Sequence, residues 1–140
     1  MALAQQKFRE IVFQILYSYD VTEGNIEDIV PFFMNYMKVT KKTVYAALQK
    51  AQEIFSAKEE LDEHMQRHIE GYAFPRVSSV EKNLLRLSLF AFLKDDKIPA
   101  AIIIAEGIRM CKKFGTPESA KFVQAVLDAA VKGHALITEK

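Results

Sequence analysis

The last third of the chain contains three helix patterns in a fixed order, at residues 79–96, 98–115 and 116–132. In each of them apolar residues recur every three or four positions, which is the period of an α-helix with a buried face. Pro99 and Pro117 stand in the first turns of the second and third patterns, where proline is tolerated. Gly115 follows the second pattern, and glycine favours a helix end. These junctions predict three consecutive helices joined by short turns.

Four further stretches upstream have the same period: residues 3–20, 26–38, 40–55 and 56–69. Asn25 is a candidate N-cap for the second of them, and Ser56 with Glu59 predicts a capping box at the start of the fourth. Residues 71–79 contain glycine, proline and two serines, so they predict the loop between two helical halves. No stretch alternates with a period of two. The sequence therefore predicts an all-α fold of about seven helices in two packed bundles.

A chain of 140 residues, half of them apolar, has the size of one domain with its own core. We expect this domain to span residues 1–135 and residues 136–140 to form a disordered tail. Cys111 is the only cysteine, which excludes an internal disulfide, and no signal-peptide pattern precedes the charges of the first helix. The longest apolar run, residues 98–105, is too short for a membrane span. The expected location is a reducing cytoplasm.

Charge is distributed unevenly along the chain, although the net charge is only +1. Residues 53–70 contain six acids and two cations, a local balance of −4, and residues 109–121 contain four cations and one acid, a local balance of +3. The acidic stretch fits a basic partner and the basic stretch fits an anionic one. The alternative for each stretch is an ordinary solvated helix face.

Residues that could carry catalysis or bind a metal are few. His64 and His68 lie four apart beside Glu63, a spacing that can hold zinc, but no third ligand is evident and an exposed histidine pair is the favoured interpretation. Cys111 follows apolar positions and is expected to be a buried, inert thiol. The chain has no nucleophile elbow, phosphate-binding loop or dinucleotide fingerprint. The sequence thus predicts a protein that is not an enzyme and that uses neither a metal nor another cofactor.

RNA binding requires cations that neutralise phosphates and flat side chains on which unpaired bases stack. The first helix offers Lys7 and Arg9, with Tyr17 on its polar side, and the seventh offers Lys121 and Phe122. The buried stripe predicted for the seventh helix consists of Val123, Val126, Leu127 and Ala130. At about 100° per residue, Phe122 lies roughly 100° from the centre of that stripe and should be partly exposed. Ordinary helix packing is the alternative for Phe122 and for Tyr17.

Three charged residues near the last two helices have a simpler explanation. Lys112 and Lys113 end one helix and Glu118 begins the next, and in these places the charges offset the helix macrodipole. Capping electrostatics therefore accounts for all three without RNA.

The ordered patterns carry a resemblance to a known family. Residues 80–90 read V-E-K-N-L-L-R-L-S-L-F, residues 98–115 read I-P-A-A-I-I-I-A-E-G-I-R-M-C-K-K-F-G, and residues 119–128 read S-A-K-F-V-Q-A-V-L-D. Together they resemble the NusB family. A second match lies at the N-terminus, where Gln5 and Gln6 stand in place of the family's leading arginines and only Lys7 and Arg9 remain basic.

The resemblance implies a NusB-like fold and a bacterial transcription antitermination factor without enzymatic activity. Such a protein binds boxA RNA together with the ribosomal protein NusE and joins the antitermination complex of RNA polymerase on ribosomal RNA operons. It also implies an RNA surface on the basic N-terminal stretch and the Ser-x-Lys-Phe turn, and a NusE surface that includes Glu81. The RNA-binding residues expected from it are Lys7, Arg9, Tyr17, Glu118, Lys121 and Phe122.

Two other functional classes remain open at this point, and so does the choice between monomer and homodimer. The missing arginines at Gln5 and Gln6 are compatible with an interaction module that keeps NusE but has largely lost RNA binding. The RNA-binding domain of an rRNA cytosine methyltransferase shares the fold, but its catalytic domain would have to follow residue 140.

Overall fold

A computed structural model of the chain describes residues 2–22, 29–69, 77–94 and 98–138. These residues form seven α-helices: α1 (Ala2–Thr22), α2 (Ile29–Tyr36), α3 (Lys41–Ser56), α4 (Lys58–Arg67), α5 (Ser79–Lys94), α6 (Ala100–Phe114) and α7 (Pro117–Thr138). No strand occurs within the described ranges. The all-α prediction is confirmed. The proposed N-cap Asn25 and residues 139 and 140 of the expected tail lie outside the described residues.

The chain divides into two compact units, Met1–Ala57 and Lys58–Lys140. The first unit contains α1 to α3 and the second contains α4 to α7. The predicted division at residues 71–79 is therefore misplaced. Leu61 and Met65 of α4 are fully buried, and α4 packs on α5 and α7. This apolar contact assigns α4 to the C-terminal group.

The first unit is organised around α3. Ile11 and Ile15 of α1 and Val44 and Ala47 of α3 are fully buried where these two helices pack. The short helix α2 also packs on α3. A turn separates α2 from α3, and the following helix begins at the N-cap Thr40, whose Oγ1 accepts a hydrogen bond from the amide of Thr43 at 3.2 Å.

The second unit is organised around α5, which packs on α4, α6 and α7. Leu84, Leu85 and Leu89 are buried, as expected for a central helix enclosed on most sides. Gly107 allows α6 to pack closely on α5 and α7, because a Cβ atom at that position would lie 3.4 Å from Ser88 Oγ of α5 and 3.0 Å from Leu127 Cδ1 of α7.

Two predicted helix ends are wrong. Ser56 is not an N-cap but the last residue of α3, because only Ala57 separates α3 from α4 and its amide bonds to the carbonyl of Ile54 at 3.0 Å. α7 does not stop before Gly133 but continues to Thr138. A single glycine inside a helix costs about 1 kcal/mol, which neighbouring contacts can offset.

Candidate nucleic-acid interface

The turn between α6 and α7 is fixed by two residues with different roles. The amide of Gly115 donates to the carbonyl of Cys111 at 2.8 Å, and a Cβ atom on Gly115 would lie 3.1 Å from that same oxygen. Thr116 Oγ1 accepts a hydrogen bond from the amide of Ser119 at 3.1 Å, which caps α7 as its first turn begins at Pro117. The predicted position of Pro117 in the first turn of the last helix is confirmed.

The first two turns of α7 present the residues expected to bind RNA. Glu118 and Lys121 are exposed, and Phe122 is half-buried. The predicted stripe beside Phe122 is buried throughout: Val123, Val126, Leu127 and Ala130. The flanking position predicted for Phe122 is therefore confirmed. An aromatic ring at the edge of a buried stripe is anchored on one side while the other remains accessible to a ligand.

Exposed cations lie before and after the turn that joins α6 to α7. Lys112 and Lys113 are exposed in the last turn of α6, and Lys121 is exposed on α7. Arg109 is engaged by Glu106 on its own helix, through bonds of 2.8 Å from Nε and 3.1 Å from Nη2. Three of the four cations predicted to attract an anion thus remain at the surface.

The candidate RNA-binding residues of helix α1 differ in their exposure to solvent. Lys7 is exposed, Arg9 is half-buried and Tyr17 is 37% exposed. The Tyr17 ring lies 6.2 Å from the ring of Phe13, measured between centroids, so part of its surface rests on a buried neighbour. Tyr17 lies ten positions after Lys7 on the helix, which corresponds to about 15 Å along the axis.

Glu81, expected to contact the protein partner, lies at the start of α5 and is buried. Its Oε1 accepts a hydrogen bond from the amide of Ser78 at 3.1 Å, and its own amide donates to Ser78 Oγ at 3.1 Å. This reciprocal pair is a capping box, and it occurs here rather than at the predicted Ser56. The sequence contains the Ser-x-x-Glu spacing at both places, so spacing alone could not distinguish them.

The acidic helix α4 is partly neutralised within the second unit. Asp62 binds the buried guanidinium of Arg86 through two bonds of 2.8 and 2.7 Å. The exposed carboxylates of Glu60 and Glu63 pair with Lys94 at 3.1 Å and Arg67 at 2.9 Å. The carboxylate of Asp62 therefore has a structural role. The exposed ion pairs are weak, and their carboxylate oxygens remain accessible to a basic partner.

The two histidines and the cysteine considered for metal binding or catalysis are His64, His68 and Cys111. Within the described ranges no group of three or more histidine, cysteine or acidic side chains is arranged to hold a metal. The pKa of His68 is lowered by burial and then by the charges of His64 and Arg67.

Burial, followed by the charge of Glu81, raises the pKa of the fully buried Cys111 thiol to about 12. The prediction of a buried cysteine is confirmed.

None of the helices in the described part of the chain combines the length and apolar character needed to cross a membrane.

Comparison with known proteins agrees with the sequence patterns. The NusB family model matches residues 6–132. The transcription antitermination protein NusB of Chlamydia pneumoniae is 39% identical over 124 residues, which cover 89% of this chain and 78% of that protein. NusB of T. maritima superposes with a TM-score of 0.76 at 28% identity, covering 91% of this chain and 89% of the other.

A chain from the crystal structure of antitermination factors NusB and NusE in complex with dsRNA has the same fold, with a TM-score of 0.76. It covers 95% of this chain and 99% of its own length at 24% identity.

Proposed function

The chain belongs to the NusB family, and from this premise we propose that it acts as a bacterial transcription antitermination factor. It binds boxA RNA together with the ribosomal protein NusE and joins the RNA polymerase antitermination complex, which promotes processive transcription of rRNA operons. The protein contributes binding rather than catalysis, and it works in the cytoplasm, where nascent RNA is made.

The observation that best supports RNA binding is the arrangement at the start of α7. Lys121 is exposed and can neutralise a phosphate, and Phe122 is a half-buried aromatic residue on whose exposed part an unpaired base can stack. Glu118, exposed in the first turn, can accept a hydrogen bond from a base amino group or a ribose 2′-hydroxyl. One helix turn thus supplies phosphate, base and sugar contacts.

Helix α1 adds a smaller contribution. Lys7 and Arg9 supply phosphate contacts, and Tyr17 offers a second stacking surface. Gln5 and Gln6 replace two cations of the family pattern, and each cation that no longer neutralises a phosphate of a single strand lowers the slope of log affinity against log salt by about 0.7. Binding of RNA by this protein alone should therefore be weak and only moderately dependent on salt.

NusE compensates for the missing cations by enlarging the binding surface. The proposed NusE contacts include Glu81 and the exposed carboxylates of α4, which fit a basic ribosomal protein. Because Glu81 is largely occupied by the amide of Ser78, it acts mainly by fixing the start of α5 and the residues around it. In joint binding, occupation of the NusE site raises the affinity of the RNA site, and the size of this increase is the coupling free energy between the two sites.

A titration of boxA RNA with and without NusE tests the proposal. We expect weak binding of RNA by the protein alone and clearly tighter binding when NusE is present. Undetectable binding even with NusE would support the interaction module without RNA binding, which Gln5 and Gln6 also permit. Tight binding without NusE and a steep salt slope would show that other cations replace the missing arginines.

A further inference from the structure

Exposed aromatic side chains lie on both sides of the turn between α2 and α3, and none of them belongs to the set expected to bind boxA or NusE. Phe32 is 53% exposed, Tyr36 is 67% exposed and Tyr45 is 49% exposed. The rings of Phe32 and Tyr36 are stacked, with centroids 5.4 Å apart and an angle of 13° between their planes. The helices that carry these rings pack on each other, and large apolar side chains exposed on neighbouring elements often mark an interaction site.

The charged residues in the stretch of sequence that carries these rings have one sign. Residues 29–52 contain four lysines and no aspartate or glutamate. Lys38, Lys41 and Lys42 are exposed, and the Lys41 ammonium lies 5.7 Å from the centre of the Tyr45 ring. Lys50 is the fourth and pairs with Glu53 at 3.7 Å. A partner of this surface should therefore be anionic.

Helix stability does not explain two of these lysines. Lys41 and Lys42 are the first two residues of α3, where the positive end of the helix macrodipole disfavours cations. Lys112 and Lys113, in contrast, lie in the last turn of α6, where the macrodipole favours them. Residues that work against the stability of their own helix are expected mainly where they serve a function.

We propose that these six residues, Phe32, Tyr36, Lys38, Lys41, Lys42 and Tyr45, form an α2–α3 aromatic surface that binds a second stretch of unpaired RNA, outside boxA. Bases stack on the exposed rings and the lysines neutralise phosphates, a combination that tolerates any sequence. A second copy of the chain is a poorer occupant, because a symmetric contact would bring lysines against lysines. The inference rests on the RNA-binding function proposed above.

The test compares boxA RNA with boxA RNA extended at its 5′ or 3′ end by about ten unpaired nucleotides, enough for one single-strand site. With NusE present, extension at one end should tighten binding to the wild-type protein about fivefold or more, the equivalent of one stacked base. Tyr36→Ala combined with Tyr45→Ala should abolish this gain and leave binding of boxA alone unchanged.

A charge variant provides an independent measurement. Lys41→Gln with Lys42→Gln should lower the salt slope for the extended RNA by about 1.4 and leave the slope for boxA alone unchanged. Both residues are exposed and stand where a cation is unfavourable, so thermal stability should be preserved or slightly raised. Lys132→Gln, at an exposed position of α7, is the single-charge control, and Gln49→Ala is the control on α3.

The outcomes separate the two proposals. If boxA RNA is not bound even with NusE, the proposed function fails and the inference fails with it. If boxA RNA is bound but neither extension tightens binding, only the inference is overturned. It is also overturned if the double tyrosine variant weakens both RNAs equally, or if the wild-type protein sediments as a dimer that this variant dissociates.

Discussion

Phe122 and Tyr17 are both aromatic residues at a helix surface, but their neighbours differ. Phe122 lies in the second turn of α7, after the turn that contains Gly115 and the N-cap Thr116. It is next to a stripe of buried residues on the same helix. Tyr17 lies against the ring of Phe13 in the middle of α1. The angular position of Phe122 could be predicted from helix periodicity alone, because its neighbours in the buried stripe are close in sequence.

Phe122→Ala should weaken boxA binding by roughly 1 to 3 kcal/mol, because a stacking surface for one base is removed. Binding of NusE should change little. Fluorescence titrations with each ligand measure the two affinities, and Val123→Ala is the matched control, since the neighbouring side chain is fully buried. The control should lower thermal stability. If Phe122→Ala does the same and weakens both ligands alike, Phe122 is a packing residue.

Lys7→Gln combined with Arg9→Gln should weaken boxA and scrambled RNA by similar factors. Two cations at a helix start can follow a phosphate backbone, but they offer no paired geometry for choosing among bases. The salt slope should fall by about 1.4 when two phosphates are no longer neutralised. Titrations of both RNAs at several salt concentrations provide the comparison. A weakening confined to boxA would mean that these residues read bases.

Among the secondary-structure elements, the boundary between α3 and α4 shows what local pattern could and could not predict. The helix period placed every described helix, because apolar spacing is a local property of the sequence. The choice of cap was decided by packing: α3 continues through Ser56, and the capping box forms at Ser78 instead. Likewise, the pairing of Asp62 with Arg86 joins residues 24 positions apart, which no local pattern reveals.

Ser78→Ala should lower the free energy of unfolding by about 1 kcal/mol, since the amide of Glu81 loses its cap. Ser56→Ala changes the same residue type at the same spacing from a glutamate, but it lies exposed in the last turn of α3 and should have little effect. Thermal melts followed by circular dichroism give both values. Equal destabilisation in the two variants would contradict the assignment of the cap to Ser78.

For the molecule as a whole, the proposed binding of RNA and the proposed binding of NusE are thermodynamically linked. If NusE tightens boxA binding by some factor, boxA must tighten NusE binding by the same factor, because both paths lead to one ternary complex. Calorimetric titrations in the two orders of addition test this equality. Unequal factors would indicate that the ternary complex differs with the order, for example through a change in oligomeric state.

The buried thiol of Cys111 gives the second unit a natural reporter of its own opening. Burial and the nearby charge of Glu81 raise the pKa of the thiol and keep it protonated, and a thiol reagent attacks only the ionised and accessible form. Labelling of the folded protein should therefore wait for a transient opening and report the population of the open state when closing is fast.

The pH dependence of stability has a definite sign. An unfolded thiol ionises near its ordinary pKa of 9.0, well below the folded value of about 12, so raising the pH through this interval favours the open chain. Ser78→Ala, by loosening the start of α5, should speed labelling of Cys111 at neutral pH. Labelling as fast in the folded protein as in the denatured chain would show that the thiol is already accessible. The sulfur of Cys111 can thus report the opening fluctuations of the helical core that surrounds it.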